Sequence, residues 1–223
     1  MTTRIGSDAW IDLLVQGADR LGHSLSPDQA RQMALHVQLL LEWNQRTNLT
    51  AITDPVHVAV KHCLDAIAPL HLLPEEGALL DIGTGGGFPG IPLKIMRPDL
   101  DMTLIDSVRK KISFVNHVIR QLRLTRIEAL HARAQTLAEQ TDRKARYQVV
   151  VCRALTDLTT AVSLALPLLA PQGRLIAYQG PNDSSAEGLA RDATDLRMIP
   201  IETVYYQLPF LDDRRKVSLL QRV

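Results

Sequence analysis

The sequence predicts an α/β fold with a mostly parallel sheet, preceded by a small helical extension. Three observations carry this. Over the first seventy residues the apolar positions recur at helical spacing. From about Gly77, short apolar runs alternate with helical stretches, the order that builds a parallel sheet covered on both faces. A glycine-rich turn follows the first apolar run, where such a sheet receives its ligand.

The helical part begins with Trp10, Ile11, Leu14, Ala18 and Leu21 on one face, with Gly22 as a stop. Ser26-Pro27-Asp28-Gln29 starts a second helix: Ser26 caps, Pro27 suits the first turn and Gln29 completes a capping box. Its apolar face runs through Ala30, Met33, Ala34, Val37, Leu40 and Leu41. Asp54-Pro55 opens a third helix, with Val56, Ala59, Val60, Cys63 and Ile67 facing inward. Residues 1–74 therefore read as an extension and 75–223 as a Rossmann-like domain.

Within that domain, strands are expected at Ala78–Ile82, Met102–Ile105 (closed by Asp106), Ile127–Ala132, Tyr147–Cys152 and Gly173–Tyr178. Helices are expected at Ser107–Leu122 and Asp157–Leu169. Val204–Leu208 and Val217–Leu220 flank a polar turn and read as an antiparallel pair closing the sheet.

The chain has 223 residues and is 46% apolar, enough for one α/β domain with a core of its own. Aromatics are only 4%, so that core is built from Leu, Ile, Val and Ala. Cys63 and Cys152 are the only cysteines, which excludes a disulfide scaffold and a cysteine-based zinc site. No apolar run reaches the roughly 18 residues of a membrane span, and the N-terminus lacks an apolar signal core. A cytoplasmic protein, without membrane attachment, is expected. Residues 107–153 hold eleven Lys and Arg against Glu128, Glu139 and Asp142, a net +8; the whole chain is +1, so the remainder is −7. A basic segment of this kind suits a polyanion or, alternatively, is a solvated helix face.

The turn reads Asp81-Ile82-Gly83-Thr84-Gly85-Gly86-Gly87-Phe88-Pro89-Gly90. Glycine lets the backbone approach a ligand closely, and the helix that follows turns its free N–H groups to the same space. Gly85, Gly87 and Gly90 formally make a G-x-G-x-x-G pattern, so a dinucleotide remains open. Asp106 ends the next strand, placed to accept two ribose hydroxyls of either NAD or S-adenosylmethionine. Asp81 before the first glycine gives D-x-G-x-G, which favours S-adenosylmethionine, and its carboxylate is a candidate partner of the donor's charged end.

Further motifs stand in order: Trp43-Asn44-x-x-x-Asn48-Leu49-Thr50, His62-Cys63-Leu64-Asp65, the glycine turn continuing to Leu93, Arg97-Pro98, Leu104-Ile105-Asp106-Ser107, and Arg153-Ala154. Over almost its whole length the chain resembles the bacterial small-subunit rRNA guanine-N7 methyltransferases of the RsmG (GidB) family. The resemblance implies a class I S-adenosylmethionine-dependent methyltransferase fold with a helical N-terminal extension. It implies transfer of a methyl group to N7 of guanine 527 of 16S rRNA, with 16S rRNA or the small ribosomal subunit as partner, and a monomer is expected. The family's cofactor contacts carry over to Gly83, Phe88, Ala134-Gln135 and Arg153; relatives often have an acid where Gln135 stands, which puts a side-chain contact there in doubt. Gly85 and Asp106 join this set from their own positions.

Guanine N7 has a lone pair and no proton to lose, so the reaction needs placement more than a base. No Ser-His-Asp set or carboxylate pair is evident. His62 and Arg153 are the catalytic candidates; the competing readings are a helix–sheet interface histidine and a structural ion pair. His57 and His62 are five apart and predict no metal site. Arg133, Arg215 in the Arg214-Arg215-Lys216 turn, and Asn48 are the candidate RNA contacts, against simple solvent exposure. Trp43 reads as a core anchor rather than a stacking platform. The competing functions are a small-molecule methyltransferase, a nucleotide-binding redox enzyme and an RNA-binding protein without activity. The +8 segment favours RNA.

Overall fold

The computed structural model describes residues 3–154, 157–180, 183 and 197–223. Helices α1 (Asp8–Arg20) and α2 (Pro27–Asn44) begin at Ser7 and Ser26, whose hydroxyls accept from Trp10 N and Gln29 N; the capping box at Ser26 is complete. Such caps satisfy amides that a helix start leaves unpaired. The third helical run opens as α3 (Pro55–Val58), capped by Asp54. It widens to a π-helical stretch at Ala59–Leu64 and closes as α4 (Asp65–Ile67). Single π turns occur often at functional sites, and this one carries His62.

The strands are β1 (Gly77–Ile82), β2 (Leu100–Asp106), β3 (Ile127–His131), β4 (Tyr147–Arg153), β5 (Leu169–Gln179), β6 (Met198–Gln207) and β7 (Arg214–Arg222). Between them lie α5 (Gly90–Met96), α6 (Arg109–Gln121), α7 (Ala134–Ala138) and α8 (Leu158–Ala165). The sheet order is β3-β2-β1-β4-β5-β7-β6. β7 alone runs against its neighbours β5 and β6. The antiparallel strand therefore lies inside the sheet, and β6 forms the edge.

Several boundaries differ from the sequence reading: β5, β6 and β7 each start earlier than expected, at Leu169, Met198 and Arg214. α8 stops at Ala165: Leu166 is its C-cap, Pro167 has no N–H to continue the helix, and the apolar run resumes in β5 at Leu169. An apolar run buried on all sides cannot be divided between helix and strand by periodicity. The short α7 has too few turns to show a period.

Two apolar clusters flank the sheet. One joins Trp10, Met33, Leu40 and Leu64 of the helical extension to Leu79, Leu104 and Val115. The extension thus packs on the same face as α5 and α6. The other cluster gathers Leu80, Ile105, Val150, Leu158 and Val162 beneath α7 and α8.

Among the described residues Lys94 is, with Lys216, one of two buried lysines. It is 2% exposed, on a helix whose residues are all buried. Its Nζ donates to the carbonyls of Pro98, Leu100 and Arg126 at 2.7, 2.5 and 3.2 Å. Burial and Arg126 push its pKa down to about 8. Three acceptors match the three hydrogens of an ammonium, so the geometry requires the charged form.

Candidate active site

The sheet order reverses between β1 and β4, and a ligand crevice is expected outside the carboxyl ends there. Register puts the critical residues in one row. Ile82 pairs with Ile105 of β2 and with Cys152 of β4. Gly83, Asp106 and Arg153 are the next residues of their strands. They open onto a cleft of about 540 Å³, also lined by Phe88, Lys111, Arg133, Ala134 and Gln135.

The glycine turn is held from below and behind. Gly83 N and Thr84 N donate to Ile105 O at 2.9 and 3.0 Å. Asp81 is fully buried, and its Oδ2 accepts from Gly90 N at 3.0 Å. It is not among the residues facing the cleft: it ties the start of α5 to β1 rather than presenting a charge to a ligand. Burial raises its pKa to about 6, against the pull of Thr84 and Gly90. Asp106, 6% exposed, does face the cleft. Its Oδ2 accepts from Gly85 N at 3.1 Å and its Oδ1 from Val108 N at 2.8 Å. These amides orient the carboxylate and leave lone pairs on both oxygens for further donors. Gly85 has φ +57, and an added Cβ would meet only Gly83 O at 3.9 Å. The cradle thus leaves its ligand side open at Gly85 and fits a ribose-bearing cofactor.

His36 of α2 closes the back of the turn. It is fully buried and its Nε2 lies 2.7 Å from Gly86 O, so Nε2 carries the hydrogen. Gly87, φ +86, has no room for a side chain: a Cβ would lie 2.8 Å from Ile91 and 3.1 Å from His36 Nε2. Phe88 is stacked with both His36 and His62, at 4.5 and 4.8 Å between centroids. The Arg153 guanidinium lies 5.5 Å from the Phe88 ring centre.

Arg153 gathers several partners. It donates to Lys61 O at 3.1 Å, Asp65 Oδ2 at 3.2 Å and His62 Nδ1 at 3.3 Å. Tyr206 of β6 donates to Asp65 Oδ1 at 2.9 Å. Arg153 is ion-paired with Asp65 and also lines the cleft. A guanidinium only donates, so His62 Nδ1 is an acceptor and its hydrogen sits on Nε2. That hydrogen points to Thr50 Oγ1 at 2.8 Å, and Thr50 Oγ1 in turn accepts from Ile52 N at 3.0 Å. Burial, then Arg153 and His36, lower the His62 pKa to about 3. His62 is thus neutral with both nitrogens engaged.

These shifts predict an acid-sensitive fold. Burial holds His36 at about 4. In the unfolded chain His36 and His62 take up protons near 6.5, so from there down to about 4 the unfolded state binds more protons and stability falls. Asp81 works oppositely: between about 6 and 3.8 the native chain holds the extra proton and gains stability as pH falls. The two histidines outweigh it. Unfolding free energy at pH 5 is expected to be about 2 kcal/mol below that at pH 7. Urea titrations at the two pH values measure this, and equal stability would contradict the neutral assignments.

Comparison with known proteins places the chain in a family. The family model of GidB, rRNA small subunit methyltransferase G, matches residues 29–206. The ribosomal RNA small subunit methyltransferase G of Geobacter sp. (strain M21) is 41% identical over 212 residues, covering 95% of this chain and 97% of its own. That of Desulforamulus reducens is 37% identical, covering 94% and 89%. The chain belongs to the GidB family. Two solved structures share the fold at low identity. The Burkholderia thailandensis 1,6-didemethyltoxoflavin-N1-methyltransferase, with bound 1,6-didemethyltoxoflavin and S-adenosylhomocysteine, is 15% identical with a TM-score of 0.52, over 71% of this chain and 76% of that one. The M. jannaschii TYW2 in complex with AdoMet is 13% identical with a TM-score of 0.52, over 71% and 73%. The fold is the class I methyltransferase fold, and the family is one of rRNA methyltransferases.

Other residues singled out from the sequence of this GidB-family chain fall as follows. Ala134 and Gln135 start α7 beside the cleft, Ala134 buried and Gln135 exposed. Arg133 is exposed on the rim. Asn48 is exposed, next to Leu49 and Thr50, which line the cleft. Asn44 explains much of the W-N…N-L-T element: its Oδ1 accepts from Leu49 N and Thr50 N, and its Nδ2 donates to Thr50 O, at 2.8–3.0 Å. Arg215 is outside the cleft; it donates to Arg214 O at 2.9 Å and lies 3.5 Å from Asp213. The +8 segment is split by the fold. Arg109, Lys110 and Lys111 begin α6, on the cleft end of the sheet, whereas Arg126 pairs with Asp101 and Arg143 with Glu128. Among the described residues no group of three or more His, Cys, Asp or Glu is arranged to hold a metal. No described helix is long and apolar enough to cross a membrane.

His36 and Lys94 escaped the sequence reading. His36 had a signal: it lies on the stripe of Met33, Val37 and Leu40, and a polar residue on a buried face needs a partner.

Proposed function

We propose that the chain transfers the methyl group of S-adenosylmethionine to N7 of guanine 527 of 16S rRNA, in the small ribosomal subunit or its rRNA. The observation that carries this reading is a cofactor cleft without a free base. His62 spends one nitrogen on Arg153 and the other on Thr50, and Asp81 lies behind the turn. An acceptor with no proton to lose, such as guanine N7, suits this site. The rim supports a nucleic-acid substrate: Arg109, Lys110 and Arg133 are exposed cations, and Asn48 is an exposed amide.

When bound, the donor supplies a methyl group already activated by its sulfonium. Asp106 would accept from the ribose hydroxyls, and the backbone of Gly83 and Gly85 would lie against the donor. Phe88 and the start of α7, Ala134 and Gln135, would close on its flanks. Arg153 holds a fixed positive charge and, after burial, helps to keep His62 neutral. The polar shell around Phe88 is set before substrate arrives, so it need not reorganise during transfer. A guanine inside a helix is out of reach, so the target must be displaced into the cleft.

Two measurements test this. Titration calorimetry with S-adenosylmethionine and NAD is expected to show binding of the former and little of the latter. Asp106→Ala is expected to weaken cofactor binding by about 1–3 kcal/mol, the worth of hydrogen bonds to a charged acceptor; unchanged affinity would remove Asp106 from the site. Methyl transfer to 16S rRNA, naked and within the small subunit, followed by mapping of the modified base, is expected to show one N7-methylguanine at 527. Methylation elsewhere, or of small molecules only, would overturn the proposal.

A further inference from the structure

A second cavity of about 450 Å³ lies over the C-terminal end of α2, lined by Glu42, Trp43, Gln45, Arg46 and Thr47. Thr47 of this cavity is two residues, at most about 7 Å of chain, from Leu49 of the main cleft. Asn44 joins them rigidly, standing between Trp43 and Gln45 and binding Leu49 and Thr50. Trp43 is only partly buried. Its ring packs at tilted angles on Phe114 and His117 of α6, at 5.5 and 5.4 Å. It is a core anchor, as its sequence context predicts, and it also lines open space. Among the described residues the exposed Arg46 side chain has no ion pair or hydrogen bond.

We infer that this pocket holds a nucleobase of the RNA strand next to the target guanine, stacked on Trp43, with Arg46 on the adjoining phosphate. The inference rests on RNA being the substrate. A displaced guanine stays covalently joined to its neighbours, so the flanking nucleotides are brought to the rim of the cleft, and bases that unstack there are held on aromatic faces. An aromatic ring beside an unpaired arginine, one short step from the cleft, supplies both contacts that a single-stranded nucleotide needs. Asn44 keeps the spacing between target and neighbour fixed, which gives the W-N…N-L-T element one physical purpose.

The two tryptophans make a direct test possible. Trp10 is fully buried and donates from Nε1 to Pro55 O at 2.9 Å. Quenching of tryptophan fluorescence by a single-stranded RNA of about ten nucleotides therefore reports Trp43. Saturable quenching is expected, and it should vanish in Trp43→Leu, which keeps apolar packing on Phe114 but removes the aromatic face. With 16S rRNA as substrate, Trp43→Leu is expected to raise KM for RNA about tenfold, with kcat and KM for S-adenosylmethionine unchanged, and Trp43→Phe to restore most of it. Arg46→Ala, on the surface, is expected to raise KM for RNA severalfold and leaves no folding question. Absence of quenching by the RNA, or an unchanged KM in both Trp43→Leu and Arg46→Ala, overturns the inference. Failure of wild-type protein to methylate any rRNA would instead defeat the functional proposal, and quenching is read independently of it.

Discussion

Arg153→Ala is expected to cut methyl transfer about 100-fold or more, the size of loss when one preorganised electrostatic donor is removed. The same change is expected to destabilise the fold by about 3–5 kcal/mol, because it strips a buried carboxylate of its cation. The reason is the double duty described above. Asp65, 6% exposed, accepts from Arg153 and from Tyr206. Without the guanidinium it keeps only the tyrosine. His62 Nδ1 loses its donor as well, and its tautomer is no longer fixed. Activity and stability can be separated by a second change. Adding Asp65→Asn to Arg153→Ala removes the buried charge and is expected to recover most of the stability, measured by urea unfolding, but none of the cofactor affinity, measured by calorimetry. Recovery of cofactor affinity along with stability would make Arg153 structural only. Full activity in Arg153→Ala would remove it from the site.

Lys94→Met is expected to cost about 3 kcal/mol of stability or more, with Tm lower by about 6–12 °C. Methionine fills much the same space, so the loss isolates the ammonium. Three backbone carbonyls, at Pro98, Leu100 and Arg126, would lose their shared donor. Each buried acceptor left unpaired costs about 1–3 kcal/mol in full burial, and partial access to water at Pro98 and Arg126 keeps the sum near the lower bound. Those carbonyls lie at or just before the starts of β2 and β3, so the lysine ties α5 to both strands. Cofactor affinity should change little, because the cleft lies at the other ends of the strands. Thermal melting of the folded protein checks this. A Tm within 2 °C of wild type would show that water or a shift of the chain replaces the ammonium.

Local chemistry made much of the fold legible in the sequence. Ser26, Pro27 and Gln29 cap and start a helix wherever they stand, because a capping box involves only neighbours. The alternation from Gly77 onward identified a parallel sheet, and Asp106 was placed correctly because a residue ending a strand before a helix lies at the carboxyl edge. The sequence did not reveal that β7 inserts between β5 and β6. Strand order depends on which edges find each other, and an apolar run carries no record of its partner. The length of β6 was hidden for a related reason: an edge strand is half exposed, so its pattern is weak.

The glycine turn shows where the division falls. Its existence, its place after β1 and its suitability for a ribose-bearing ligand follow from Gly83, Gly85 and the position of Asp106, all set within about twenty-five residues. What holds it followed only from the tertiary structure. Asp81 looked like a ligand to the donor and is instead buried beneath α5, because the depth of a side chain is decided by what packs above it. His36 lies 50 residues from the carbonyl it binds, and Arg153 lies 91 from His62. Bonds across such separations form only after the helical extension and the sheet share one core. The sequence by itself determined a glycine-turn cleft at the carboxyl edge of the sheet; the packing of α2 and the π turn against that cleft decided which groups are charged, which are neutral and which line it.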